Sequence, residues 1–491
     1  MKSAAAQTNR QILDGTVWVF LAEGLILPTG LITAGFLTRH LGPEGYGLFT
    51  LVSVMVSWTE WSIVSIFSRT VIKFVGEAED WRPIGTLVVR LHLGLSLGIT
   101  AVIWLLAPAI ATGMNEPALG QYLRLLALDI PILSVASAQR NILIGRGKFR
   151  ERAIATAGRW TLRLILIVLL VGLGFSVTGA ILGILGASLT ELIITRYFLP
   201  TPWFQRVNLP VRSLFGYAVP LFCFAMTMRL YDKLDLILLK LLGGSAEESG
   251  IYGAAQNLAF IPTILSISFS PLLLSSLSRL LVAGELAQAK ELARHALRLV
   301  LGLLPIGAIT VATAPAIVTL IYGETFLPTA PILSVLIFSA IGLMMISIGT
   351  TILTAADRPK IPFMVAAPLL PLAVCGHWWV IPQMQAMGAA WVTTLVAQVG
   401  ASITLVVIYR LWNIWPPVAT LMRSLLVCGG LYALAAYWSV PSFWLLPQLL
   451  LLALMVPLLF LLLGEFSRPE VALIRSMLAS FLPFKFKAYK R

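Results

Sequence analysis

The sequence predicts an all-α integral membrane protein of about fourteen transmembrane helices, arranged as two pseudo-symmetric six-helix lobes plus a C-terminal helix pair. Three observations carry this expectation. The 491 residues are 58% hydrophobic and only 11% charged, with a mean hydropathy of +0.92. A water-facing globular surface needs roughly 25% charged residues. The apolar residues come in long runs, such as the uncharged stretch from Phe443 to Leu463, and a run of roughly 20 crosses a bilayer as a helix. Lipid leaves helices or closed barrels as the only spanning structures, and the period-two alternation of a barrel is absent.

Spans are expected at about 15–38, 47–72, 84–113, 119–144, 152–174, 176–199, 213–241, 250–280, 296–322, 328–355, 360–382, 386–410, 418–440 and 443–464. The polar start, Met1 to Asp14, runs into the first span without a small-residue cleavage site, so that span is expected to stay as an anchor. An even count puts both termini on one side. Taking that side as cytoplasm, about 28 of the 35 lysines and arginines fall on it, whereas Glu44, Glu116, Glu247, Glu248 and Glu324 fall on the other. Only Arg39 and Lys240 border outer connections. The net charge of +14 is therefore a topology signal and not a nucleic-acid surface. Between the eighth and ninth spans, Gly284 to Arg298 carries Glu285, Lys290, Glu291 and Arg294 and is expected to form an interfacial amphipathic helix.

The chain also repeats itself. Arg39-His40-Leu41-Gly42 followed by Gly45-Tyr46-Gly47 recurs as Lys240-Leu241-Leu242-Gly243 followed by Gly250-Ile251-Tyr252-Gly253. Ser68-Arg69 matches Ser278-Arg279, and Gly179-Ala180 matches Gly388-Ala389. Ile142-Leu143 with Gly145-Arg146-Gly147-Lys148 resembles Ile352-Leu353 with Asp357-Arg358-Pro359-Lys360. Four matches in one order divide the chain into a cytoplasmic start (1–14), an N-lobe (15–200), a C-lobe (201–412), two extra helices (413–466) and a basic cytoplasmic tail (467–491). With an even number of helices in each half, the repeats are parallel, and a substrate site is expected between them near the midplane.

At this point the sequence resembles the polysaccharide transporter (O-antigen flippase) family, in the superfamily that also holds multidrug-and-toxin extruders and the lipid II flippase. The residues that carry the resemblance are Leu41-Gly42-Pro43-Glu44-Gly45-Tyr46-Gly47-Leu48-Phe49, Asp235-Leu236-Ile237-Leu238-Leu239 with Gly250-Ile251-Tyr252, Ser278-Arg279-Leu280, and Tyr322-Gly323-Glu324-Thr325-Phe326 before Ala330-Pro331-Ile332-Leu333, with Leu353-Thr354-Ala355. The resemblance implies a multi-pass protein of the bacterial inner membrane. It implies two lobes around a cavity, alternating access, and a polyprenyl-diphosphate-linked oligosaccharide moved to the outer leaflet for O-antigen, lipopolysaccharide or exopolysaccharide synthesis. Glycosyltransferases and a polysaccharide polymerase are then the expected partners, beside the membrane lipids.

Ionisable residues inside spans are the candidate site residues, because each must face a cavity or a partner. Glu23, Glu60, Asp129, Arg163 and Arg229 are about 9–16 residues into their spans. Arg124, Arg159 and Lys233 lie off-centre, where they can snorkel. Guanidinium forks bind phosphate bidentately, so Arg163 and Arg229, with Arg69 and Arg279 at the inner mouth, are the candidates for a diphosphate. The alternative is static pairing of Arg163 and Arg229 with Glu23, Glu60 or Asp129. Those three acids carry either a coupling ion or that pairing. Asp235 and Asp232 receive no role. Trp378, Trp379 and Trp391 are expected in an interfacial belt, with sugar stacking as the alternative.

Other chemistry is poorly represented. Cys223, Cys375 and Cys428 lie far apart in apolar segments and read as packing residues. His377 lacks ligand spacing, so no metal or cofactor is expected. No Gly-x-x-x-x-Gly-Lys-[Ser/Thr] phosphate loop exists, which excludes ATP hydrolysis by this chain. The competing functions are a cation-coupled multidrug exporter and a membrane polysaccharide polymerase or ligase, and the short outer connections count against such an enzyme.

Overall fold

A computed structural model describes residues 18, 21–78, 80–200, 233–356, 360–415, 417–438, 440, 444–466, 470 and 471. Among the described residues every regular element is helical: α1 (Ile26–Glu77), α2 (Arg82–Gly113), α3 (Pro117–Leu126), α4 (Asp129–Gly145), α5 (Phe149–Leu170), α6 (Ser176–Phe198), α7 (Ala246–Ala259), α8 (Thr263–Val282), α9 (Leu286–Leu301), α10 (Leu304–Tyr322), α11 (Thr329–Ala355), α12 (Lys360–Ala366), α13 (Leu369–Trp412), α14 (Val418–Tyr437) and α15 (Leu445–Leu462). Among the described residues ten helical stretches are long and apolar enough to cross a membrane. The expected span at 213–241 lies outside the described residues except for its end, helical over 233–241.

Three of those ten stretches are 45, 50 and 52 residues long, more than one crossing needs. Each is broken where one span was expected to give way to the next. Gly42 turns out of helix in α1 at φ 67°, ψ 179°. Gly174 does so at φ 92°, beside Ser176 at φ 50°. Gln385 divides α13 at φ 50°, ψ −130°. The left-handed region is open to glycine and strained by about 1–3 kcal/mol for other residues, so Ser176 and Gln385 depend on the packing of the arms they join. In the α5–α6 hairpin that packing is backbone-close. A Cβ on Gly183 would lie 2.6 Å from Ile167 Cγ1 and 2.9 Å from its backbone nitrogen. Small residues replace hydrophobic force as the means of joining helices in lipid.

The chain forms two compact units. The first contains Met1–Leu258, Val318–Ile332 and Phe363–Val396; the second contains Ala259–Ile317, Leu333–Pro362 and Ala397–Arg491. The first has an aliphatic core of Val71, Val75, Val88, Val135, Ala138 and Ile142 from α1, α2 and α4. Trp378, Trp379 and Trp391 on α13 are exposed in this unit.

In the second unit the expected amphipathic helix is α9. Ala289, Ala293, Ala296, Leu297 and Val300 recur at helical spacing and are buried against Leu273, Leu277 and Met344. Helices α14 and α15 pack through Val427, Leu431, Leu452, Val456 and Phe460, with Ile309 of α10. A charged clasp joins these parts. Glu465, just past α15, accepts Arg298 Nε at 2.9 Å and Arg423 Nη1 at 2.7 Å, and also the Thr420 hydroxyl. Burial alone would raise the Glu465 carboxyl, but the Thr420 hydroxyl and the Arg423 and Arg298 guanidiniums outweigh it and hold the carboxyl below its ordinary range.

A carboxyl held below its unfolded value contributes its full stabilisation above the ordinary carboxylate range, and that contribution is lost as pH falls through the lowered value. Thermal unfolding of the solubilised protein should therefore drop across that acid interval. Glu465→Ala should remove this part of the pH dependence and cost about 1.5–3 kcal/mol at neutral pH, the worth of charge-assisted hydrogen bonds.

Candidate functional site

The first unit gathers charged side chains on four apolar helices. Asp129 opens α4 and is 1% exposed; its Oδ2 accepts the Ser188 hydroxyl of α6 at 3.1 Å. Glu60 of α1 reaches the same region, close enough for its carboxyl to interact electrostatically with Asp129. Glu60 Oε1 and Asp129 Oδ1 are both buried without a donor among the described residues. From α5, Arg159 and Arg163 bring positive charge to the pair, their guanidiniums 5.7 and 5.3 Å from the Trp160 ring. No carboxylate lies within 4 Å of Arg163 among the described residues.

One turn beyond Ser188, Glu191 is fully buried and holds two cations: Arg140 Nη1 in a short ion pair and Arg159 Nε at 3.5 Å. Arg140 Nη2 also donates to Ser137 Oγ at 2.9 Å, and the Thr195 hydroxyl donates to Gln139 Oε1 at 2.9 Å. Asp129–Ser188 and Gln139–Thr195 contacts advance together along the two sequences, so α4 and α6 run parallel with polar stripes facing. An intramembrane charge left alone costs several kcal/mol, which is why these groups converge.

Three of the expected residues, Glu60, Asp129 and Arg163, thus meet. Glu23 instead pairs with Arg152 Nη2 at 2.6 Å, at the first turn of α5. Arg69 falls on α1 before Glu77, and Arg279 is exposed on α8 in the second unit. Arg229 lies outside the described residues. Glu191 and Arg140 were not anticipated as a pair. The usable signal was an acid deep in an apolar span with Ser188 and Thr195 at i−3 and i+4, a polar stripe on one face.

Asp235, given no role by the sequence, is 3% exposed in a second knot. It accepts the Tyr252 hydroxyl at 2.6 Å, Gln256 Nε2 at 2.8 Å and the Thr393 hydroxyl at 3.1 Å, while Lys233 Nζ donates to Gln256 Oε1 at 3.0 Å. Among the described residues no cluster of three or more His, Cys, Asp or Glu side chains could hold a metal ion.

The repeats Gly45-Tyr46-Gly47 and Gly250-Ile251-Tyr252-Gly253 meet in this unit. A Cβ on Gly47 would lie 1.8 Å from the Ala246 carbonyl oxygen, and one on Gly250 would lie 2.1 Å from that of Pro43. Around this contact Asn257 Nδ2 donates to the Tyr46 hydroxyl at 2.9 Å, and Tyr46 packs edge-on to Phe326 at 5.8 Å. Lys240 Nζ pairs with Glu116 Oε1 at 2.8 Å, and Arg39 Nη2 donates to the Leu320 carbonyl. Each basic exception to the orientation rule therefore reaches from one repeat to the other, just before α3 in one case and at the end of α10 in the other.

The family described as polysaccharide biosynthesis protein matches residues 36–331. The succinoglycan biosynthesis transport protein ExoT of Rhizobium meliloti (strain 1021) is 23% identical over 259 residues, which are 51% of this chain and 50% of that protein. The match spans about half the length of that relative. Among solved structures, the lipid II flippase MurJ in an inward closed conformation aligns with a TM-score of 0.74 at 14% identity, over 92% of this chain and 98% of that one. A multidrug resistance MATE family transporter of the MOP superfamily, inward-facing, aligns at 0.64 and 14% identity over 82% and 95%. The Vibrio cholerae MATE transporter VcmN in its bent form aligns at 0.55 and 15% identity over 87% and 99%. These structures share the fold of this chain.

The glycine contact gives a direct test. Thr329 is fully buried beside it, its hydroxyl 3.3 Å from the Ile251 carbonyl oxygen. In a background without native cysteines, Thr329→Cys should react slowly with a soluble maleimide. Adding Gly250→Ala should speed that reaction about tenfold or more, since overpacking a close contact costs about 1–3 kcal/mol. Unchanged labelling would show that the repeats do not need this approach.

Proposed function

The chain belongs to the polysaccharide biosynthesis protein family, and we propose that it is a flippase for polyprenyl-diphosphate-linked oligosaccharide. It carries this cargo from the inner to the outer leaflet of a bacterial cytoplasmic membrane by alternating access, for cell-surface polysaccharide synthesis. Both termini are cytoplasmic in this reading. Glycosyltransferases supply the cargo and a polymerase consumes it.

One observation carries the reading: Arg163 sits inside an apolar helical bundle with no carboxylate within 4 Å among the described residues, next to Arg159. A cation in that medium needs a partner, and a diphosphate supplies two acceptors matched to a guanidinium fork. In this proposal Arg163 contacts the diphosphate, and Arg229, Arg69 and Arg279 are assigned to the same cargo, the last two at its entry. Glu60 and Asp129 face each other as a pair able to hold one proton between two carboxyl groups. Loss of that proton strengthens their hold on Arg163 and releases the phosphate, which couples cargo to a proton gradient. Glu23, exposed and paired with Arg152, stays a static charge pair. The lobes, 15–200 and 201–412, rock about the seam at Gly47 and Gly250.

The Glu60–Asp129 pair would equally serve a cation-coupled multidrug exporter, so the test must follow the cargo. Arg163→Gln should lower export of surface polysaccharide roughly tenfold or more, the worth of a charge-assisted hydrogen bond, with lipid-linked oligosaccharide accumulating on the inner leaflet. Arg163→Lys should recover only part. Glu60→Gln with Asp129→Asn should flatten the dependence of export on external pH. Normal export with Arg163, Arg229, Arg69 and Arg279 all changed to Gln would overturn the proposal.

A further inference from the structure

A cavity of about 680 Å³ lies in the second unit, where the end of α15 and the beginning of α14 meet α9. Its volume is in the range of cavities that hold small ligands, about 300–1,000 Å³. It forms because α9 turns its alanine-rich face to the core, which leaves Lys290, Arg294 and Arg298 in line along the flank of that face at i, i+4 and i+8. These side chains are not equivalent. Arg298 is taken up by Glu465 and Glu470, at 2.9 and 3.3 Å, and Arg423 by Glu465. His295 faces Glu470 at 3.3 Å and Glu291 at 3.7 Å. Lys290 and Arg294 line the same cavity with no carboxylate within 4 Å among the described residues. The end at Arg298 is therefore neutralised, and Lys290 and Arg294 make no ion pair among the described residues.

We propose that this cavity binds the phosphate headgroup of an acidic phospholipid, held by Lys290 and Arg294 in the leaflet that α14 enters and α15 leaves. Three features select a lipid over a dissolved anion. The cavity stands at the ends of two apolar spans, α14 and α15, at the level where headgroups lie. The surface beside it is apolar and open: Val418 and Met422 in the first turns of α14 are 57% and 56% exposed, and Leu299, next to Arg298, is 48% exposed. Acyl chains can lie on that surface while the phosphate meets the two cations. The cations stand on an amphipathic helix, the sequence device by which proteins read anionic leaflets. The lipid then completes the joint between α9 and the α14–α15 pair that Glu465 begins, independently of how cargo is bound.

The test uses the full-length protein in detergent with phosphatidylglycerol added, and bound lipid counted by native mass spectrometry. The Lys290→Gln/Arg294→Gln double variant should bind phosphatidylglycerol roughly tenfold or more weakly, the worth of two cations at a membrane surface. A charge-matched control, Arg82→Gln/Arg410→Gln, both exposed on other helices, should bind as the parent does. Phosphatidylcholine should not distinguish the variants, and glycerol phosphate should not compete. Equal affinity of the parent and the Lys290/Arg294 variant would overturn the proposal. So would an equal loss in both double variants, which would mean bulk charge alone. Competition by glycerol phosphate would overturn the lipid assignment in favour of a soluble anion.

Discussion

Glu191, itself fully buried, holds Arg140 and Arg159 together, and the arrangement of the first bundle follows from it. Neither guanidinium can be left alone in an apolar medium, and a lone buried carboxylate is equally unfavourable. Helices α4, α5 and α6 must therefore converge on one point. Once they do, Asp129 is carried against Ser188, Glu60 arrives beside Asp129, and Arg163, one turn from Arg159, is placed next to two acids without being claimed by either. Removing one partner from such a group leaves the others uncompensated. The stability of the bundle and the availability of Arg163 are in this sense the same arrangement.

The helical hairpins were legible because their signals are local. Turns expected near 38–47, 174–176 and 382–386 appear at Gly42, at Gly174–Ser176 and at Gln385. The amphipathic helix expected over Gly284 to Arg298 appears over Leu286–Leu301. The partners of the charged groups were not legible. Arg140 reads in one dimension as an end-of-span cation, because nothing local says that α4 lies beside α6. Asp235 draws its hydrogen bonds from positions 17, 21 and 158 residues away. Glu23 lay at a depth that suggested Arg163, yet Arg152 is the cation that the turn into α5 presents. Residue type announced that these groups needed partners; only the packing of distant helices decided which.

The two exceptions to the orientation rule belong with the repeats. Lys240 is 5% exposed and reaches Glu116, while Arg39 reaches a carbonyl at Leu320. The two cations that the orientation rule did not account for each meet a specific acceptor, so a departure from a statistical rule marks an interhelical contact. Self-similarity showed that the Gly45-Tyr46-Gly47 and Gly250-Ile251-Tyr252-Gly253 segments have equivalent places in the two halves. It did not show that equivalent places touch, which only the packing of distant segments decides.

At this contact each segment is the environment of the other. The hydrogen atom at Gly47 makes room for the carbonyl of Ala246, and the one at Gly250 makes room for that of Pro43. Drift at one position is therefore judged by the backbone of the opposite half. A hybrid protein that joined the front of this chain to the back of a distant cousin could exchange its lipid-facing residues freely, but would have to inherit a glycine at both places.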